Sequence, residues 1–211
     1  MNRLATLLLG LAALALPGLA LAGAQRQEAL AASVQAALHG AVSDSAAPEP
    51  IFPSPAEKAR WLGDMSQRLI KRFPAPQERI DFLKTVYYEA QRAGLDPQLV
   101  LGLIQVESGF KKYAVSGAGA RGYMQVMPFW VRQIGSPDQN LFHLRTNLRF
   151  GCTILRHYLD IEHGDLFRAL GRYNGSLGRA EYPNIVRAAW ERQWSFTPVR
   201  LAQQQGGASR N

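Results

Sequence analysis

The sequence predicts an all-α protein, and three observations carry that expectation. Successive stretches place apolar residues at helical spacing, and proline or aspartate stands where such stretches begin and glycine where they stop. No run alternates apolar and polar residues long enough for a strand, and no internal repeat is present. A chain of 211 residues with 47% apolar and 19% charged side chains has room for one domain and its extensions.

The first residues, MNRLATLLLGLAALALPGLALA, combine a basic start at Arg3, an apolar core from Leu4 to Leu16, a breaker at Pro17-Gly18 and a small-x-small site at Ala20-Leu21-Ala22. That core is short for a membrane span, so residues 1–22 read as a signal peptide removed after Ala22. An uncleaved anchor is the lesser alternative, and no Cys follows the site to accept a lipid. Residues 23–54 read as an Ala-rich helical arm from Gln25 to about Val42, packed or mobile, followed by a linker with four prolines between Ser43 and Pro55. Ile51 and Phe52 are the linker residues able to pin it to the domain.

Residues 55–200 carry the domain. Pro55 to Phe73 sets Ala59, Leu62, Met65, Leu69 and Ile70 on one helical face. Pro76 opens a second helix through Ile80, Leu83, Val86, Tyr87 and Ala90, stopped at Gly94 in a left-handed turn. Asp96-Pro97 reads as an N-cap and first-turn proline for the helix that follows. Pro128 opens a short helix through Phe129, Trp130 and Ile134, and 135–140 is a loop. Thr146 is the expected cap of a longer helix bearing Leu148, Cys152, Leu155 and Leu159 and ending at Gly164. Asp165 caps the helix from Leu166 to Tyr173, and Pro183 opens one carrying Ile185, Val186, Ala189, Trp190 and Trp194. Residues 201–211, rich in Gln and Gly, read as a disordered tail.

Formal charge is +8, or +7 once Arg3 leaves with the signal. Such a balance suits a polyanionic partner, or is simply a basic surface; export argues against nucleic acid and for the acidic peptides and polymers of a cell envelope. Cys152 is the only cysteine, so no intramolecular disulfide forms, and its apolar neighbours make it a buried small hydrophobe. The His residues lack metal-ligand spacing, and Gly117-Ala118-Gly119 follows no strand, so no metal, phosphate loop or cofactor is expected.

The stretch LVLGLIQVESGFKKYAVSGAGARGYMQVMP holds the chemistry. Leu99, Val100, Leu101, Leu103, Ile104 and Val106 carry no charge, so Glu107 closes an apolar helix where ionisation is costly and the proton is kept to higher pH. Ser108, the glycines 117, 119 and 122, and then Tyr123, Met124 and Gln125 follow it, which outlines a general-acid site with binding groups. Asp96, eleven positions earlier on one helix, is roughly 16 Å away and too far to be a second catalytic carboxylate. Asp138 and Glu181 fall on loops and stay open for that role.

Glu107-Ser108, Ser116, Gly122-Tyr123-Met124-Gln125-Val126-Met127-Pro128 and Tyr173-Asn174-Gly175, in that order, resemble the soluble lytic transglycosylase (SLT) domain over roughly Asp81 to Trp194. Tyr123 stands where that family has Leu, and Arg172-Tyr173-Asn174-Gly175-Ser176 replaces its AYNAG segment. The resemblance implies a lysozyme-like (goose-type/SLT) helical fold with an N-terminal helical extension. It implies cleavage of the MurNAc-β-1,4-GlcNAc bond of peptidoglycan without water, by Glu107 as acid and then base; the signal peptide makes the periplasm the expected address. It also implies roles for single residues: Ser116 on the acetamido group or the acid, Gln125 and Asn174 orienting sugar and carboxyl, and Tyr173 bonded to Glu107. Tyr123 and Met124 would line the groove, with plain core packing an equal alternative for Met124, while Ser108 either touches substrate or satisfies local backbone groups. Two alternatives stay open: a goose-type lysozyme-like hydrolase with a second carboxylate, and a non-catalytic wall-binding protein that escorts an envelope assembly partner.

Overall fold

The computed structural model describes residues 25–43 and 49–197. The expected signal peptide at 1–22, the tail at 201–211 and part of the proline-rich linker lie outside the described residues. Eight α-helices follow in order: α1 Ala32–Ser43, α2 Pro55–Leu69, α3 Pro76–Arg92, α4 Pro97–Ser108, α5 Pro128–Ile134, α6 Leu144–Ile161, α7 Leu166–Asn174 and α8 Glu181–Ala189. A π-helical turn, Trp190–Trp194, continues α8. The all-α expectation holds: among the described residues, extended pairing is limited to isolated antiparallel bridges joining Val115 to Arg121 and Arg121 to Val126.

Helix α4 is the axis of the domain. Its side chains from Leu99 to Ile104 are buried, and it packs against α3, α8 and the π turn. Asp96 caps it, Oδ1 accepting from the backbone N–H groups of Gln98 at 2.6 Å and Leu99 at 3.3 Å, with Pro97 in the first turn. Around it α3 lies on α2 and α6, α6 on α7, and α7 on α8. Trp61, Met65, Leu83, Leu101, Phe150 and Tyr173 are among the large side chains fully withdrawn from solvent. Across the α3–α6 seam the buried carboxylate of Glu89 meets Arg149 at 2.9 Å and Arg145 at 3.6 Å, with Arg92 of its own helix at 3.7 Å. A carboxylate in that position depends on those partners.

Several boundaries differ from the sequence reading. Helix α2 ends at Leu69, and the chain turns before Phe73, which is buried beyond it. Helix α6 begins at Leu144, so Thr146 lies inside the first turn rather than capping it; the His143 carbonyl accepts from Asn147 N at 2.9 Å and no side chain caps the end. The same helix stops at Ile161, because His163 (φ 51°) and Gly164 (φ 88°) turn left-handed. Helix α8 starts two residues before Pro183, which sits in the first turn, where its missing N–H breaks no helical bond.

The amino-terminal arm is packed. Helix α1 lies on α5 and α6, with Val42 buried. Ahead of it residues 25–31, which form no helix, lie against α5: Gln25 is 4% exposed and its Oε1 accepts from the Trp130 indole N–H at 2.9 Å. Gln133 donates to Glu28 O at 2.9 Å, and Gln35 donates to Gln133 O at 2.6 Å. Past the linker, Phe52 stacks on Tyr87 with ring centroids 3.8 Å apart, whereas Ile51 points outward. No helix among the described residues is long and apolar enough to cross a membrane.

Candidate active site

Glu107 occupies the last turn of α4, where the helix stops because Gly109 turns left-handed (φ 56°) and Phe110 follows it (φ 67°). Its side chain is sealed, the residue being 6% exposed. Carboxyl Oε1 accepts from the Tyr182 hydroxyl of α8, and Oε2 has no hydrogen-bond partner. Burial pushes its pKa up to about 8, and the Tyr182 hydrogen bond opposes that rise. Glu107 is therefore a neutral acid at neutral pH, with a free oxygen for a proton to leave from. Tyr182 stays a phenol, since burial and then the Glu107 charge push its own pKa well above the ordinary tyrosine value.

The contact between α4 and α8 depends on Gly102. A Cβ there would lie 2.9 Å from the Trp190 backbone nitrogen, so only glycine allows the π turn this close. Tyr182 escaped the sequence reading because its role exists only across this crossing. The available signal was Gly102 itself, the one small residue within a run of large apolar ones.

The loop after α4 places the other expected residues. Ser108 Oγ donates to Ile104 O at 3.2 Å and Tyr123 O at 2.7 Å, tying the helix end to the loop. This is the local backbone role of the two considered. Ser116 Oγ accepts from Ala120 N at 3.1 Å and so closes the tight turn at 116–120. Gln125 takes a left-handed backbone (φ 48°) and donates to Ala114 O at 3.2 Å and Gly122 O at 3.1 Å, bracing the loop from within. Asn147 of α6, which the sequence reading passed over, holds the same loop from outside. Its Oδ1 accepts from Met124 N at 2.8 Å, and its Nδ2 donates to Arg121 O and Leu141 O, each at 2.8 Å.

Three expected contacts are corrected. Tyr173 does not bond Glu107: its hydroxyl donates to Met124 O at 2.8 Å, and Tyr182 supplies the hydroxyl on the acid. Burial first and the Glu107 charge second push the Tyr173 pKa well above the usual value. Met124 and Tyr123 do not face an open groove. Met124 is fully buried, its side chain filling the space a Cβ at Gly151 would take, and Tyr123 packs its ring 5.2 Å from that of Phe82. Asn174 at the end of α7 donates to Ser176 Oγ at 3.1 Å, and its buried Oδ1 has no partner. It is thus, with Glu107 Oε2, one of the unpaired acceptors in this part of the core.

Other carboxylates have their own tasks. Glu89 is held by arginines, Glu162 pairs with Arg168 and Arg172, and Asp165 caps α7 by accepting from Arg168 N at 3.0 Å. Asp138 lies on the loop before α6, and Glu181 is exposed at the first position of α8. Among the described residues no group of three His, Cys, Asp or Glu could hold a metal ion. Cys152 is buried, and burial raises its thiol well above the ordinary value, which suits packing and not nucleophilic attack.

The site is thus a carboxylic acid buried at a helix end, with one oxygen held by a phenol and the other without a partner among the described residues. Residues 84–189 match the family described as the Transglycosylase SLT domain, half of the chain, and the chain belongs to that family. It is 33% identical over 103 residues to a transglycosylase of Enterobacteria phage PRD1, covering 49% of this chain and 38% of the phage protein. It is also 51% identical over 47 residues to membrane-bound lytic murein transglycosylase C of Actinobacillus pleuropneumoniae, covering 22% of this chain and 13% of that protein. The X-ray structure of an inactive mutant of lytic transglycosylase Slt from Pseudomonas aeruginosa aligns at 25% identity and a TM-score of 0.43, over 58% of this chain and 22% of that one. The aligned parts span well under half the length of each of these relatives.

Proposed function

We propose that the protein is a peptidoglycan lytic transglycosylase that cleaves the MurNAc-β-1,4-GlcNAc bond without consuming water and leaves a 1,6-anhydroMurNAc end. The carrying observation is Glu107: a buried carboxyl with a pKa of about 8, one oxygen held by Tyr182 and the other without a partner. Such a group gives its proton to the departing glycosidic oxygen, since an unprotonated alkoxide leaves poorly. The neighbouring N-acetyl group assists departure, and the 6-hydroxyl of the same sugar attacks the anomeric carbon. Glu107, now an anion, takes the proton from that hydroxyl, so both steps use one side chain and the proton count closes.

Family membership and the printed names of the relatives support the reaction class and the murein substrate. The apolar leader at residues 1–22 supports export, and the periplasm is the proposed address. Mass spectrometry of digested cell-wall sacculi tests the reading, because anhydro ends are lighter than hydrolysed reducing ends by one water. Anhydro products lost in Glu107→Gln are expected; products with reducing ends would overturn the ring-closing mechanism.

A further inference from the structure

The helix that carries the acid ends in a conformation that needs outside support. After Ser108 the chain turns left-handed at two successive residues, Gly109 (φ 56°) and Phe110 (φ 67°), and the second is a bulky side chain that rarely adopts such backbone. Backbone of this kind persists only where the surroundings impose it. The last turn of α4, with Glu107 in it, has no further helix beyond it to hold its carbonyls.

Trp194 supplies that support. Its indole N–H donates to Gln105 Oε1 at 2.7 Å, two residues before the acid, and its ring lies 5.3 Å from that of Phe110, three residues after it. Gln105 is also the residue whose carbonyl closes the helix, accepting from Gly109 N at 3.1 Å. Its Nε2 donates to Gln193 Oε1, so both polar atoms of the side chain are held by the π turn. Arg68 of α2 ties that turn down, Nη1 donating to Gln193 O at 2.7 Å and to Ser195 O at 3.0 Å.

The π turn is what aims the indole. The buried positions of α8 are Tyr182, Pro183, Val186 and Ala189, and at 3.6 residues per turn the next on that face is residue 193. Wider winding at Trp190–Trp194 carries the face one residue further, so Trp194 is buried and Gln193 is exposed. The same segment thus meets α4 at three places: Tyr182 on Glu107, the Trp190 backbone beside Gly102, and Trp194 on Gln105.

We infer that Trp194 is a positioning residue for Glu107: through Gln105 and Phe110 it grips the last turn of α4 on both sides of the acid and holds the carboxyl in place for the bond it protonates. This rests on the reading of Glu107 as the acid. Displacing a reacting group by about 1 Å costs up to about a hundredfold in rate, so such a brace governs turnover more than binding.

The test measures kcat, KM and the pH profile of the full chain on soluble glycan strands, below the unfolding midpoint of every variant. Trp194→Phe keeps a ring against Phe110 and removes the donor; kcat should fall about fivefold with KM level. Its alkaline limb should move to lower pH, because a loosened turn admits water to a carboxyl whose proton is kept by burial. Gln105→Leu, a change at a partly exposed position, should do the same from the other end of the bond. The double variant should lose no more than the weaker single, since both remove one interaction.

A fall in kcat with an unmoved limb, losses that multiply in the double variant, or an unchanged kcat would each overturn the inference and leave Glu107 as the acid. Turnover retained in Glu107→Gln, run beside them, would remove the acid reading itself and with it the group that Trp194 is said to place.

Discussion

At the scale of single residues, the decisive quantity is the proton affinity of Glu107. Its folded pKa of about 8 lies above the ordinary value of 4.5, so the folded state binds this proton more tightly than the unfolded chain does. The stabilisation is fully present below the unfolded pKa and is lost as pH rises through the folded one, at roughly 1.4 kcal/mol per pH unit between them. Glu107→Gln, neutral at every pH, should remove that slope from urea melts taken between pH 5 and 8 while abolishing product release. Turnover of the parent should fall as pH passes about 8, where the acid loses its proton before substrate arrives. Tyr182→Phe removes the hydrogen bond that holds the carboxyl and opposes the rise. Its alkaline limb should therefore move to higher pH, with turnover down about tenfold; an unmoved limb would separate Tyr182 from the acid. The raised proton affinity of Glu107 was legible in the sequence because its cause, the apolar run around it, is local. Tyr182 was not legible, since its partner is reached only through the folded crossing of α4 and α8.

At the scale of elements, the loop that follows α4 is shaped more by α6 than by its own sequence. Asn147→Ala would leave Met124 N, Arg121 O and Leu141 O without the partners described above. Thermal or urea unfolding should register a loss of about 2–4 kcal/mol, accompanied by loss of turnover as the loop slackens. Gly102→Ala would push α4 from the π turn, with a cost of about 1–3 kcal/mol from overpacking, part of it offset by the better helix propensity of alanine. Most helix starts could be read because proline and aspartate act within a turn of their own position, as at Pro76, Asp96 and Asp165. The start of α6 could not, since no side chain caps it and Thr146 offered a misleading signal. The burial of Tyr123 was missed, and that of Met124 left open against a place in the groove, for a related reason: a glycine-rich loop reads as open, while Gly122 and Gly151 are what let it sink into the core.

On the scale of the whole molecule, the arm expected to be packed or mobile is a working part of the domain. Gln25→Ala would orphan the buried indole N–H of Trp130, which should lower stability by about 1–3 kcal/mol in a urea titration followed by tryptophan fluorescence; an unchanged midpoint would mean the segment is not seated in solution. The sequence could not decide this because thin Ala-rich apolarity docks only if a partner face exists, and that face is assembled from α5 and α6. Net basic charge, by contrast, was readable at once and has a global effect: association with an acidic wall should weaken as salt rises. The seat of Gln25 also constrains anyone who joins this domain to a reporter or an affinity handle. A graft ahead of that glutamine needs enough slack for the amide to reach the indole, or the handle itself becomes a denaturant of the part it was meant to reveal.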